Sequence, residues 1–448
     1  MAGRFRDYDP HQQYLLPPSL QEWLPDGHLS HFVLDFVSDL DLTAITSTYG
    51  ASGAPAHSPR MMVGVWLYAY CQGVRSSRRV EKALYEDVGF RVVSGNQQPD
   101  HWCLNAFRTK HQAALAAIFK QTVTVAVKMK FVKLGHVAVD GTKIKANASK
   151  HKAMSYKRMK EQEAELAKKI ADYFSEAAQQ DAADDERYGK DRRGDELPEE
   201  LKHADKRLEA IRKAKKELED EAKERARAEQ QQRREQAECE GREYTPRTDP
   251  ENAQPTPKSQ KNFTDADSRI MRSPDKAFIQ AYNGQLAVDS ASHIIVAAQL
   301  SNQAADCRHL PGIVEDVVTN TGRKPKQVSA DCGYYSRENL EFLAAQGVDA
   351  LIPPDRIRHS AWRAQTPPRG RIPAGLTPAE QMRRKLRTKK GREGYKKRQA
   401  TVEPVFGHIK SSRGLRQFLH RGIEKVANLW AFDCAAHNLL RIFRLLST

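Results

Sequence analysis

Residues 199 to 240 contain no glycine or proline and consist almost wholly of Glu, Lys, Arg, Ala and Gln. Leu201, Ala204, Leu208, Ile211 and Leu218 keep heptad-like spacing, and Leu166, Ile170 and Phe174 mark an earlier helix, with DAADDERYGKDRRGDELP between the two. The pattern predicts a protruding, coiled-coil-like antiparallel helical hairpin. With the proline-rich, polar return segment that follows, it fills 155–261. Its acids and bases nearly balance, so it reads equally as a grip on DNA or a second subunit and as a solvated spacer.

The sequence on either side has a different period. GHVAVDGTKIKANAS, from about 130, is short, alternating and rich in valine, as a strand is. Beyond 270 come AYNGQLAVD and HIIVAAQL as strands, CRHLPGIVEDVVTN as a helix, KQVSADCG as a strand, SRENLEFLAAQG as a helix and VDALIPP as a strand. Strands alternating with helices predict an α/β domain with a mixed sheet. The strand near 140 is then its first strand, so the domain comprises 130–154 plus 262–448 and the hairpin is an insertion. Residues 1–115 read as an all-α region, with SHFVLDFVSDLDL and PRMMVGVWLYAYCQGV periodic and SSRRVEKALYEDVGFRVV opening like a capped helix. Arg75, Arg78, Arg79, Arg91 and Arg108 suit either a DNA-binding bundle or ordinary helical surface.

Composition narrows the partners. The 448 residues carry 73 Lys+Arg against 57 Asp+Glu, a net charge of +16, which points to a polyanion, most often nucleic acid. No apolar run approaches the roughly 20 residues of a membrane helix, and MAGRFRDYDPHQQYLLPPSL lacks the apolar segment of a secretory signal. A cytoplasmic protein without a membrane partner is expected. Six cysteines without a Cys-x-x-Cys pair argue against disulfides and a zinc site.

Two acids stand where strands end. Asp140 follows Val137, Ala138 and Val139; Asp331 follows Val328, Ser329 and Ala330; a glycine comes within two residues of each. Residues at strand ends line the ligand crevice of an open α/β sheet, and two carboxylates there could share magnesium with a phosphodiester. Alternatively, VDGT and YNGQ are hairpin turns. Asp289, Asp306 and Asp349 sit at less sharply defined strand ends. A third acid, Glu403, belongs to a helix with Val402, Val405, Phe406 and Ile409 on one face, Thr401 as its N-cap and Pro404 in its first turn. Glu403 either complements the helix dipole or, with Lys410 on nearly the same face, serves as a metal ligand among phosphate contacts. RRKLRTKKGREGYKKR, the densest basic stretch, leads into it and reads as DNA-contacting.

VAVDGTKIKANASKHKAMSYKRM, YNGQLAVD, SADCGYYS and RQATVEPVFGHIK together resemble the blocks of bacterial insertion-sequence transposases of the DDE class. The resemblance covers nearly the whole chain. It implies an RNase H-like catalytic domain, a helical N-terminal DNA-binding domain, and a catalytic, metal-binding triad of Asp140, Asp331 and Glu403. Two divalent metals, magnesium with manganese as substitute, would serve cleavage and strand transfer. The family's Tyr, Arg, Glu, Lys signature maps onto Tyr395, Arg398, Glu403 and Lys410, with four residues between Arg398 and Glu403 where some relatives have three. Tyr395, Lys396, Lys397, Arg398, Lys410 and Arg413 would contact DNA. The partner implied is double-stranded DNA, held by a homodimer when two ends are synapsed. The alternatives are a nuclease without strand transfer and an inactive transposase-derived DNA-binding protein.

Overall fold

A computed structural model describes residues 19–447 apart from 51–54, 150–151, 189–198, 240–243, 247–248, 274–276, 357–367, 369, 371–372 and 374. The amino-terminal MAGRFRDYDPHQQYLLPP and part of the hairpin linker lie outside the described residues, as do the side chains of Phe174 and Leu201.

Among the described residues, seven α-helices precede the first strand: Leu29–Ser38, Thr43–Thr46, Pro59–Cys71, Ser77–Glu86, Val88–Val93, His101–Lys110 and Gln112–Lys128. In Pro59–Cys71 every residue from Met62 onward is buried. A helix apolar all round belongs in a core rather than on a surface, and this one lies at the centre. The SSRRVEKALYEDVGFRVV segment is two helices. Asp87 ends the first and caps the second, its side chain accepting from the Phe90 amide at 3.1 Å.

The sheet follows from the two strand-rich segments. Its strands are β1 (Val137–Lys145), β4 (Arg269–Arg272), β5 (Phe278–Asp289), β6 (Ile295–Ser301), β7 (Gln327–Ser329) and β8 (Asp349–Leu351); β2 (Ala153–Ser155) and β3 (Gln260–Asn262) form a separate ribbon. β5 is bordered by β4 and β6 on one side and by β1 on the other; β7 and β8 follow. β1 is antiparallel to β5 and parallel to β7, and β7 is parallel to β8. This curled mixed sheet fits an RNase H-like fold with a helical region before it. VDGT and YNGQ are not turns: Asp140 faces Leu286, Gly141 faces Gln285 and Thr142 faces Gly284 in mid-ladder. Gly284 has its own reason to be glycine, since a Cβ there would lie 3.0 Å from the buried Trp430 ring.

Helices Leu310–Thr321 and Arg337–Ala345 connect β6 to β7 and β7 to β8; Pro378–Arg387, Lys389–Gly407 and Ile423–Leu446 close the chain. Val33, Trp66, Ile118, Ala138, Leu286, Val402 and Trp430 belong to one continuous apolar cluster. The amino-terminal helices and the sheet therefore share a core, and the other face of the sheet has a second cluster around Val139, Val317, Leu343 and Leu351.

The inserted hairpin rises from the β2–β3 ribbon. Helix Tyr156–Tyr188 pairs with Glu199–Cys239. Contacts of Tyr156 with Glu219 and of Glu163 with Lys215 make them antiparallel. The first helix continues through DAADDERY, placed in the linker on sequence, because no breaker occurs before Gly189. Tyr156, Met159, Ile211, Ala214 and Leu218 bury a small seam at the base.

Four histidines make this packing acid-sensitive. Burial pushes His136, His408 and His420 down to about 4 and lowers His437. The His136 ring nitrogens are buried without partners. His437 Nε2 lies 3.1 Å from the His293 carbonyl and its Nδ1 3.1 Å from His408 Nδ1, so one ring must stay neutral to accept. A folded pKa below the unfolded value of about 6.5 means that the unfolded chain takes up protons first as pH falls. Stability is thus fully present above 6.5 and lost towards 4, on the order of 1 kcal/mol per pH unit for a fully buried ring. Melting temperatures measured from pH 7.5 to 4.5 should fall progressively; a level profile would contradict this.

Candidate active site

β1 and β7 pair in parallel with Ala138 beside Ser329. Asp140 and Asp331 each lie two residues beyond that rung, where the strands part. Equal offset in a parallel register brings both carboxylates out on the same side. The preceding Val137, Ala138 and Val139 are wholly buried, which fixes the register. Asp331 caps the short turn Cys332–Tyr334, accepting from the Gly333 amide at 2.8 Å. Asp140 Oδ1 accepts from the Gly141 amide at 2.8 Å, and its Oδ2 accepts from Arg398 Nη1 at 2.7 Å. Burial, with Asp331 nearby, pushes the Asp140 carboxyl up to about 6 against the opposing pull of Arg398. The Arg398 guanidinium also lies 5.7 Å from the Tyr395 ring centre.

Arg398 comes from a helix that begins earlier than its apolar spacing suggests. Lys389–Gly407 is capped by Thr388, which accepts from the Gly391 amide at 3.0 Å, and Gly391 is pressed against the Lys385 carbonyl, leaving no room for a Cβ. Thr401 is therefore not the N-cap. It is buried in mid-helix, donating to the Lys397 carbonyl at 2.7 Å. Pro404 lies inside the helix, and its missing N–H leaves the Ala400 carbonyl without its helical donor.

Glu403 is exposed, four turns into this helix, and accepts from Gln399 Nε2 at 3.1 Å. The structure thus brings Asp140, Asp331 and Arg398 together and leaves Glu403 on the adjacent surface. Among the described residues, no three His, Cys, Asp or Glu side chains form a metal-holding group. Lys410 reaches β1 and donates to the Lys143 carbonyl at 3.0 Å, its pKa lowered by burial and by Lys143. Lys396 and Lys397 are exposed.

Arg413 corrects the expectation of a DNA contact. It is 3% exposed and ion-paired with buried Asp433 at 2.7 Å, so its charge is spent inside the fold. Arg75 joins the same carboxylate at 2.6 Å, and Arg108 is buried over the Trp66 ring. Of the amino-terminal arginines considered for DNA, Arg78 and Arg79 remain exposed. The sequence reading passed over Asp433, whose one local sign is an acid inside the apolar run NLWAFDCAAHNLL.

Two family models match the chain: the Transposase DDE domain over residues 255–439 and the Transposase domain (DUF772) over 18–110. The first contains Asp331 and Glu403; β1, with Asp140, lies ahead of it across the insertion and joins by pairing with β5. No curated protein and no solved structure matches. Among the described residues no helix is long and apolar enough to cross a membrane. With both transposase domains on one chain and a fold that fits them, the protein belongs to the insertion-sequence DDE transposases.

Proposed function

We propose that this transposase cuts double-stranded DNA at the ends of its element and joins the 3′-hydroxyls to target DNA, through Asp140, Asp331 and Glu403. The observation that carries the reading is the carboxylate pair at equal offset on β1 and β7. Oxygen donors without histidine or cysteine suit magnesium, which takes one or two carboxylates together with substrate phosphate. Glu403, exposed on the neighbouring helix, would complete the set when DNA is present. Bound divalent metals would activate the attacking water or 3′-hydroxyl and stabilise the leaving oxygen in an in-line displacement at phosphorus.

The chain's own residues do the rest. Arg398, already on Asp140, keeps a guanidinium where a phosphate would lie, and Lys396 and Lys397 extend that charge along the exposed side of the helix. Lys410 would be a positioning residue, since it holds β1 by its carbonyl. A homodimer would hold two ends together.

A strand-transfer assay with pre-cut ends in magnesium separates this reading from a plain nuclease. Joined products are expected; cleavage without joining would favour the nuclease. DNA affinity should fall about 10³ to 10⁵ between 50 and 200 mM salt for 6 to 10 phosphate contacts. Lys396→Ala and Lys397→Ala should each reduce the salt slope by about 1. A flat salt response would remove the electrostatic argument.

A further inference from the structure

Asp306 follows β6 and has no place in the triad. Its Oδ1 accepts three hydrogen bonds: from Asn283 Nδ2 at 2.7 Å, from Gln285 Nε2 at 2.7 Å and from Lys143 Nζ at 3.0 Å. Asn283 and Gln285 are fully buried on β5, whereas Lys143 lies three residues past Asp140 on β1. Gln285 Oε1 in turn accepts from the hydroxyl of buried Tyr334, the last residue of the turn that Asp331 opens. One carboxylate thereby ties the Asp140 strand, the central strand β5 and the Asp331 turn together.

The two glycines next to the acids agree with this. A Cβ on Gly141 would lie 2.8 Å from Asp306 Oδ1, and one on Gly333 would lie 3.6 Å from Asp306 Oδ2 and 3.0 Å from Asp331 Oδ1. Asp306 is therefore against both acid-bearing segments at the points where side chains are missing. Three donors on one oxygen, drawn from two strands, far exceed what a surface aspartate needs.

We propose that Asp306 is a positioning residue of the active site: through Lys143, Asn283 and Gln285, and through Gln285 to Tyr334, it sets the separation of Asp140 and Asp331. The inference rests on the acid pair proposed above. Such supporting partners, when removed, typically weaken metal affinity 10- to 100-fold.

The test uses the full chain without DNA, with manganese binding followed by electron paramagnetic resonance and amide exchange followed at residues 333–335. Asp306→Ala should bind manganese about 10- to 100-fold more weakly and exchange those amides at least about ten-fold faster. Asp306→Asn, which keeps an acceptor oxygen, should recover most of both. Tyr334→Phe removes only the last link and gives a milder version should Asp306→Ala fail to fold. Unchanged exchange in both Asp306→Ala and Tyr334→Phe would overturn the positioning role. Undiminished manganese binding in Asp140→Asn would instead overturn the acid pair as a metal site, while leaving the exchange result to judge Asp306.

Discussion

Asp331→Asn should lower magnesium-dependent cleavage of element ends by at least about 10³, some 4 kcal/mol of barrier, while DNA binding is kept. The substitution is nearly isosteric, and an asparagine oxygen can still accept from the Gly333 amide that Asp331 now caps. Only the charge leaves, so folding should be undisturbed. Asp140→Asn should lose activity to a similar degree, but it also removes the charge that Arg398 is paired with at 2.7 Å, which makes Asp331 the cleaner experiment. Glu403→Gln is the informative third arm. Its side chain is exposed and bonded only to Gln399 among the described contacts, so no change in stability is expected. A comparable loss of cleavage would therefore report a carboxylate that joins the pair only with metal and DNA. Cleavage by Asp331→Asn at the unmutated rate would sink the assignment.

The acid pair was legible because its signals are local: a buried Val-Ala-Val or Val-Ser-Ala run fixes each strand, and an acid follows. The inserted hairpin was legible for the same reason, a long stretch without breakers. The start of the Glu403 helix was not. RRKLRTKKGREGYKKR reads as a DNA-contacting basic stretch leading into the helix, yet Lys and Arg are good helix formers, and the break lies at Thr388, where one cap and one glycine separate two helices. Asp306 was seen only as one of several acids near strand ends. What distinguishes it is convergence of Lys143, Asn283 and Gln285, residues from two strands whose pairing spans the insertion. A sequence period carries no trace of such a meeting. The same holds for the shared core: residues 1–115 read as a separate helical domain, and only packing of Pro59–Cys71 and Gln112–Lys128 against Ile423–Leu446 shows that the core is common to both.

Asp433→Ala should destabilise the protein by about 3 to 5 kcal/mol, the usual consequence of removing one partner from a buried ion pair. The Asp433 side chain is 1% exposed and meets Arg75 at 2.6 Å and Arg413 at 2.7 Å, themselves 10% and 3% exposed. Without the carboxylate, two guanidinium groups face each other in a site with little access to water. The damage should spread, because Arg75 precedes helix Ser77–Glu86, Arg413 follows Lys389–Gly407 and Asp433 lies on Ile423–Leu446. One carboxylate thus joins the segment matched by the amino-terminal transposase domain to the end of Lys389–Gly407 and the middle of Ile423–Leu446. Denaturant unfolding should show a lower midpoint with the slope kept. If the loss arises from stranded charge rather than lost packing, Arg75→Met, Arg413→Met and Asp433→Leu combined should be far less destabilised than Asp433→Ala alone, since apolar replacement of a whole buried ionic cluster is often neutral. A triple variant as unstable as the single one would mean that hydrogen bonds from Arg75 and Arg413 to backbone carbonyls, such as that from Arg75 to the Arg413 carbonyl, hold the two regions together more than the charges do.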